Sequence, residues 1–587
     1  MSPTRDEAAH LAAGIEYWRT GRAELYNVNP PLVRLWATLP IAICTDLVVP
    51  RTPEFGDKTV RQEFVRGKLL RDELGNSFLG YLNTARYMCV PIVLLGTLGV
   101  YLLARQIFCE TAGTVAAAAW ALNPIVLGYG ALYTCDIAAG SAGVWAVYAG
   151  LLAHRHGTPV DAIVAGVLLG FAIATKSVWI IAILLWPIGA ILLLASRSCV
   201  RVRCLTPTKN PGPTLVRTAS RGACLVLLIL LSAWLVVLGS YRFVDTFRTL
   251  DEFEFVSDFL NGGEVAKGNR FVGTMLGRVP VPFPGALVRG IDQQWQDFDE
   301  PSDSFLFGQW QQGGWWYYYL MALSLKLPLG LLAMVAISIL TLRVRMEALL
   351  VCFGIPAVLF LLVSAKTNMN EHTRYLWSAL PFIAILASGV FVGTTRTSFV
   401  GIPLKGLRVL SFVCLIWIVH QGFGTWPFGL SYSNELTGGP SHTSKYLAGS
   451  NVDWNHGWLA VRDWLSREGQ EMPCVLVEPD PGYFDCIGIP TSQSVPRKVR
   501  ESGWEENAVI LISTENRMGM SRPRHAFEPW VLRDYDLIGC CVEKRIVSFE
   551  EATRMEGVRW YSPSGTRDAR SGNGDRSDAE AKFYRTN

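Results

Sequence analysis

Apolar positions in this chain come in long unbroken blocks rather than in the short alternating patterns of a water-soluble fold. A helix needs about 18–20 apolar residues to cross roughly 30 Å of hydrocarbon. Runs of about that length fall near residues 87–104, 113–132, 135–153, 160–175, 177–196 and 222–241, and again near 316–341, 346–364, 375–394 and 405–421. The pattern therefore predicts about ten membrane helices. The runs 160–175 and 177–196 are parted by Lys176 and are counted as two. A further stretch, 31–50 (PLVRLWATLPIAICTDLVVP), carries Arg34, Asp46 and flanking prolines. Charges are costly at mid-bilayer, so it reads as an interfacial helix.

The polar blocks set orientation. Residues 197–221 hold six Lys or Arg and no acid, which marks the segment as cytoplasmic by the positive-inside rule. Counting spans outward from it puts 1–83, the long loop 243–315, 365–373 and everything after 421 on the opposite side. The long loop holds eleven acids against five bases. The same parity leaves residues 1–83 outside with no apolar segment before them to carry them across, so a first helix is expected to be missing.

After about residue 430 the composition turns polar. Short β-rich runs (CVLVE at 474–478, AVILIST at 508–514) alternate with a helical stretch at 458–468 and predict a small α/β domain. The stretch SPSGTRDARSGNGDRSDAEAKFYRTN has almost nothing to bury and reads as disordered. The expected organisation is thus an outer segment with interfacial helices (1–83), a membrane body with its large outer loop (84–421), an extracytoplasmic α/β domain (422–561) and a tail (562–587). Composition agrees with a bilayer protein: half of the 587 residues are apolar and only 17% are charged. Net charge is +4, and the 13 cysteines carry no metal-ligand spacing.

Candidate chemistry gathers at the outer ends of the spans. Asp6 and Glu7 form an acidic pair that can do acid/base work, although most exposed pairs of this kind are solvated or serve helix N-termini. Asp136, in YTCDIAAGSAG, sits where a span begins; it is either functional or an N-cap of the helix that follows. Lys176 suits a phosphate, or snorkels to the headgroups. His372 and Arg374 lie with Lys366 and Glu371 in KTNMNEHTRYLW, and Arg86 begins the first run. Three acids and three cations on one face are what is needed to activate a hydroxyl and hold a phosphate leaving group. Asp297 and Asp299 form a DxD in an acidic loop, a weak signal for a metal. The aromatic run Trp310–Tyr319 reads as an interfacial belt.

These segments in order resemble the phospholipid-carrier-dependent glycosyltransferases of the protein O-mannosyltransferase and lipid A aminoarabinose transferase family, with the GT-C fold. The matching stretches are DEAAHLAAGIEYWRTGRAELYNVNPPLVR (6–34), YTCDIAA (133–139), GFAIATKSVW (170–179), GGWWYYYLMALSLKLPLG (313–330), HTRYLWSALPF (372–382), and NELTGGP with SNVDWNHG (434–457). The resemblance implies an all-α polytopic membrane enzyme that inverts the anomeric carbon in one displacement. Asp6 would be the general base, with Glu7 positioning the acceptor and Asp136 the second acid. Arg86, Lys176, His372 and Arg374 would bind the donor phosphate, with no metal and no cofactor. The implied partners are a polyprenyl-phosphate sugar, a lipid, glycan or protein acceptor and membrane lipid, but no nucleic acid. The implied place is the plasma (inner) membrane with an extracytoplasmic active site. Two departures stand out. The family places a span before the acidic pair, and it tends to carry glutamine–aspartate where this chain has Asn455 and His456. A transporter or flippase of anionic or lipid-linked substrates is the rival reading, and predicts charges near mid-span and internal repeats.

Overall fold

The computed structural model describes residues 1–561 except 53–60, 204–214, 263–267, 300, 342–345, 366–367, 369, 393–397, 400–401, 468–473, 478–480, 493–506, 514–535, 539–541, 549–551 and 553–557. Lys366, most side chains of the 197–221 basic segment and the 562–587 tail lie outside the described residues.

Ten helices come first: α1 (Arg5–Thr20), α2 (Leu32–Cys44), α3 (Gln62–Leu74), α4 (Phe78–Ile107), α5 (Glu110–Ala121), α6 (Pro124–Tyr129), α7 (Cys135–His156), α8 (Pro159–Thr175), α9 (Ile181–Arg203) and α10 (Leu215–Ser240). Among the described residues six helices are long and apolar enough to cross a bilayer, or seven if the bent pair Tyr318–Lys326 and Leu329–Thr341 is one span. The protein is a multi-pass membrane protein, and helix length among the described residues does not confirm the expected count of about ten.

The difference has local causes. The 113–132 run breaks at Asn123–Pro124, where the Asn123 side chain accepts from the Ile125 amide at 3.0 Å and Pro124 opens the next helix. The 316–341 run bends by 110° next to Pro328, which cannot continue the preceding helix. The runs on either side of Lys176 form two helices, as read, because Lys176 is extended (φ −151°, ψ 128°). Helix α2 has 13 residues, about 20 Å at 1.5 Å per residue, too short to cross alone. Its Arg34 is buried and donates to the Tyr26 and Asn29 carbonyls at 2.9 and 2.5 Å.

Helices α4, α5, α7, α8 and α10 pack with the segment Leu329–Phe391 around one large apolar core. The α8–α10 crossing is close because Gly166 and Gly170 face it. A methyl group at Gly166 would meet the Ile229 carbonyl at 2.3 Å, the small-residue device by which membrane helices approach each other. The aromatic belt is only partly realised. Trp316 is 75% exposed, whereas Tyr318 and Tyr319 are fully buried core residues.

The long loop 243–315 is structured by a helix, Gly285–Asp299, and a hairpin pairing Asp303–Leu306 with Gln309–Gln312. Asp292 anchors the helix to the loop by accepting from the Val256 and Ser257 amides. The last part of the chain forms a six-stranded sheet in the order Thr491–Ser492, Val558–Tyr561, Cys474–Val477, Asn507–Ser513, Val542–Ser548, Asp536–Ile538. The pairing of Cys474–Val477 with Asn507–Ser513 is parallel, and the other pairings are antiparallel. A second apolar cluster joins this sheet and Trp458, Leu465 and Phe484 to Leu11, Ile15, Leu70, Phe78 and Leu82. The N-terminal helices and the C-terminal sheet thus share one core.

Candidate active site

The site is built at the start of α1. Thr4 is its N-cap and forms a capping box with Glu7: the Thr4 amide and hydroxyl donate to Glu7 Oε2 at 2.8 and 3.0 Å. Two carboxylates in the first turn also complement the helix dipole. Consecutive helical residues point about 100° apart, so Asp6 and Glu7 leave in different directions.

Glu7 turns inward and is fully buried. Arg86 of α4 grips it with a fork, Nε at 2.8 Å and Nη2 at 2.6 Å, and the Tyr133 amide donates to it at 3.2 Å. The remaining Arg86 reach is spent on the carbonyls of Met1 and Ser2 at 2.9 and 2.8 Å. Burial pushes the Glu7 carboxyl upward, but the adjoining guanidinium and the three hydrogen-bonded groups outweigh it and hold its pKa below the ordinary value.

Asp6 turns the other way and meets Arg374 Nη1 at 2.8 Å. The Arg374 guanidinium lies 4.2 Å over the Trp454 ring, and its Nε finds no hydrogen-bond partner among the described residues. Asp136 accepts from Lys176 Nζ at 2.7 Å through Oδ1, while its buried Oδ2 has no partner among the described residues. Helix α7 begins at Cys135, so Asp136 lies inside the first turn and does not cap it. The Tyr375 ring stands between the two ion pairs, with Lys176 Nζ 5.6 Å and Arg374 Cζ 5.7 Å from its centroid.

All seven residues singled out from the sequence therefore lie in one neighbourhood, as three acid–cation pairs drawn from five parts of the chain. His372 is the seventh. Its Nδ1 is 2.9 Å from the Ser450 hydroxyl and its Nε2 is 3.5 Å from Glu371. Burial, and then the Arg374 charge, lower its pKa to about 3, so it is neutral at pH 7. Asp297 of the DxD is held by Arg61 at 2.8 Å and by Gln293 at 3.0 Å, and Phe298 packs edge-on to Tyr375 at 5.5 Å.

Three contributors were not picked out from the sequence. Arg61 reaches the site from just before α3. Tyr375 was hidden among the many aromatics of the chain. Trp454 lay in a recognised motif, SNVDW, to which no role was given. Neither pairing with Arg374 nor burial beside it has a sequence signal at separations of 80 or 368 positions.

Known proteins give a partial match. The family model described as dolichyl-phosphate-mannose-protein mannosyltransferase matches residues 81–207, the stretch that contains Arg86, Asp136 and Lys176. It is the family that the sequence motifs resemble, and the match supports a glycosyltransferase. No curated protein matches the chain by sequence. ArnT from Cupriavidus metallidurans bound to undecaprenyl phosphate is 13% identical over 96% of this chain and 94% of that chain, with a TM-score of 0.40. The oligosaccharyltransferase of Archaeoglobus fulgidus in the apo form is 14% identical over 86% of this chain and 65% of that chain, with a TM-score of 0.35.

Proposed function

We propose that this protein is an inverting glycosyltransferase that moves a monosaccharide from a polyprenyl-phosphate carrier to an acceptor hydroxyl at the extracytoplasmic face of the plasma membrane. The observation that carries the reading is the pair of adjoining ion pairs, Asp6–Arg374 and Asp136–Lys176, each with one buried polar atom left without a partner among the described residues. Orphaned buried donors and acceptors cost free energy unless a ligand satisfies them. A phosphate oxygen suits the Arg374 Nε–H, and a hydroxyl of the sugar or acceptor suits Asp136 Oδ2. The matched family's description, with its dolichyl-phosphate sugar, supports the same chemistry.

In the reaction Asp6 takes the proton of the acceptor hydroxyl as its oxygen attacks the anomeric carbon. The bond to the carrier phosphate breaks on the opposite face, and the phosphate leaves as an anion that needs no protonation. Arg374 and Lys176 stabilise that growing charge. Neutral His372 contributes a hydrogen bond rather than charge. The Glu7–Arg86 pair, with its donors already engaged, acts by fixing the start of α1 and so aiming Asp6. The carrier's polyprenyl tail lies along the apolar helices, and the C-terminal α/β region faces the acceptor.

The test is transfer of radiolabelled sugar from polyprenyl-phosphate donors by membranes containing the chain, compared with Asp6→Asn. Wild-type transfer and a loss of about 10²–10⁴-fold in the variant, with donor binding kept within a few-fold, is the expected result. Equal rates would remove Asp6 as the base. No transfer with any donor by folded protein would favour the transporter.

A further inference from the structure

The motif Ser450–His456 (SNVDWNH) takes no part in the bond-making steps above, yet three of its residues, Ser450, Asn451 and Trp454, between them touch all four residues of the Glu371–Arg374 segment. Asn451 is fully buried, and its Oδ1 accepts from the Thr373 amide at 3.1 Å and from the Thr373 hydroxyl. Its Nδ2 donates to the Glu371 carbonyl at 2.5 Å and to the Tyr318 hydroxyl at 3.0 Å. Ser450 holds His372 at 2.9 Å, and its own carbonyl accepts from Tyr129 at 3.1 Å. Trp454 supplies the ring under Arg374 at 4.2 Å.

The motif is itself pinned. Buried Lys326 donates to the Asn451 carbonyl at 2.6 Å, and Ser431 donates to the Val452 carbonyl at 2.5 Å. The Trp454 amide donates to His456 Nδ1 at 3.3 Å, and His456 Nε2 meets the Ser431 hydroxyl at 3.0 Å. Asn455 takes the left-handed conformation (φ 64°), which asparagine tolerates, and its amide bonds back to Asp453 at 2.9 Å.

We propose that this motif is the positioning device of Arg374: Asn451 fixes the backbone that carries it, and the Trp454 face sets the plane of its guanidinium toward the donor phosphate. The assignment rests on the donor-phosphate reading of the site. Trp454 is a positioning residue, because it acts through Arg374. With the guanidinium carbon held over the indole face, Nη1 donates to Asp6 and Nε is left for a ligand.

The test uses the full-length protein in detergent or nanodiscs with undecaprenyl monophosphate as the probe, comparing wild type, Trp454→Leu, Trp454→Phe and Lys176→Ala. Leucine and phenylalanine both fill the pocket with an apolar group, but only phenylalanine keeps an aromatic face. Trp454→Leu is expected to weaken binding by up to about 30-fold, equivalent to ~2 kcal/mol for a desolvated cation–π contact at 1.36 kcal/mol per tenfold. Trp454→Phe is expected to recover most of that. In turnover with the sugar donor, KM for donor is expected to rise more than kcat falls. If the leucine and phenylalanine variants bind alike, whether as wild type or equally weakly, the ring face is irrelevant and the assignment is overturned. If Lys176→Ala binds as tightly as wild type, the donor-phosphate reading fails first, on a residue independent of Trp454, and this assignment falls with it.

Discussion

Glu7→Gln tests the division of labour between the two adjacent acids. Glu7 is completely buried, held by a two-pronged contact with Arg86 at 2.8 and 2.6 Å and by three further donors from Thr4 and Tyr133. Neutralising it leaves the Arg86 charge buried without its counter-charge, which costs about 3–5 kcal/mol. Unfolding entropy of ~2.1 cal/mol/K per residue over 587 residues is about 1.2 kcal/mol/K, so Tm is expected to fall by about 2.5–4 °C. The double variant Glu7→Gln/Arg86→Met, which removes both charges, is expected to regain part of that loss. The pH sign follows from a folded pKa below the ordinary value of 4.5. The stabilisation is complete above about pH 4.5 and is lost as pH falls through the lower folded value. Scanning fluorimetry of the purified variants reads both effects. A single-variant Tm within 1 °C of wild type, or a double variant worse than the sum of the singles, would refute a buried ion-pair strut.

Three other outcomes are expected. Lys176→Ala removes one charged hydrogen bond to the donor and is expected to weaken undecaprenyl phosphate binding by about 10–150-fold, from 1.5–3 kcal/mol; it also strips the buried Asp136 of its counter-charge, so Tm is expected to fall as well, and isothermal titration on folded variant checks the binding. His10 and His456 are buried and His372 is half-buried, and desolvation chiefly holds each below its ordinary 6.5, with His372 and His456 at about 3. The unfolded chain therefore binds protons first, so stability is expected to fall as pH drops from about 6.5 toward 3, and His456→Gln should flatten the slope by about one proton in a pH series of unfolding midpoints. Gly166→Val would press a side chain against the Ile229 backbone, where even a methyl group would lie at 2.3 Å, and is expected to lower Tm and the yield of monodisperse protein in size-exclusion chromatography.

Much of this was legible in the sequence. Long apolar runs dictate membrane helices because only helices satisfy every backbone group in hydrocarbon, and the runs at 135–153, 222–241 and 405–421 each became one. Charges at the ends of such runs are costly enough to be few, so Asp136, Lys176 and Arg374 stood out by position alone. Local chemistry was partly legible too, since acidic pairs favour helix N-termini and Asp6 and Glu7 do stand in the first turn of α1.

What only the tertiary structure decided is who pairs with whom. Asp6 and Glu7 look alike in sequence, yet one fork from Arg86 makes Glu7 a buried strut, while Asp6 faces Arg374 from 368 positions away. The bend next to Pro328 and the break at Asn123 turned expected spans into shorter pieces, because a run of apolar residues sets burial but not where the backbone turns. The SNVDW motif drew no role from its residues, since the contacts that define it, Asn451 to Thr373 and Trp454 to Arg374, exist only once distant segments share a core. Pairing of this kind carries no periodicity along the chain; it is fixed by packing, and packing is a property of three dimensions.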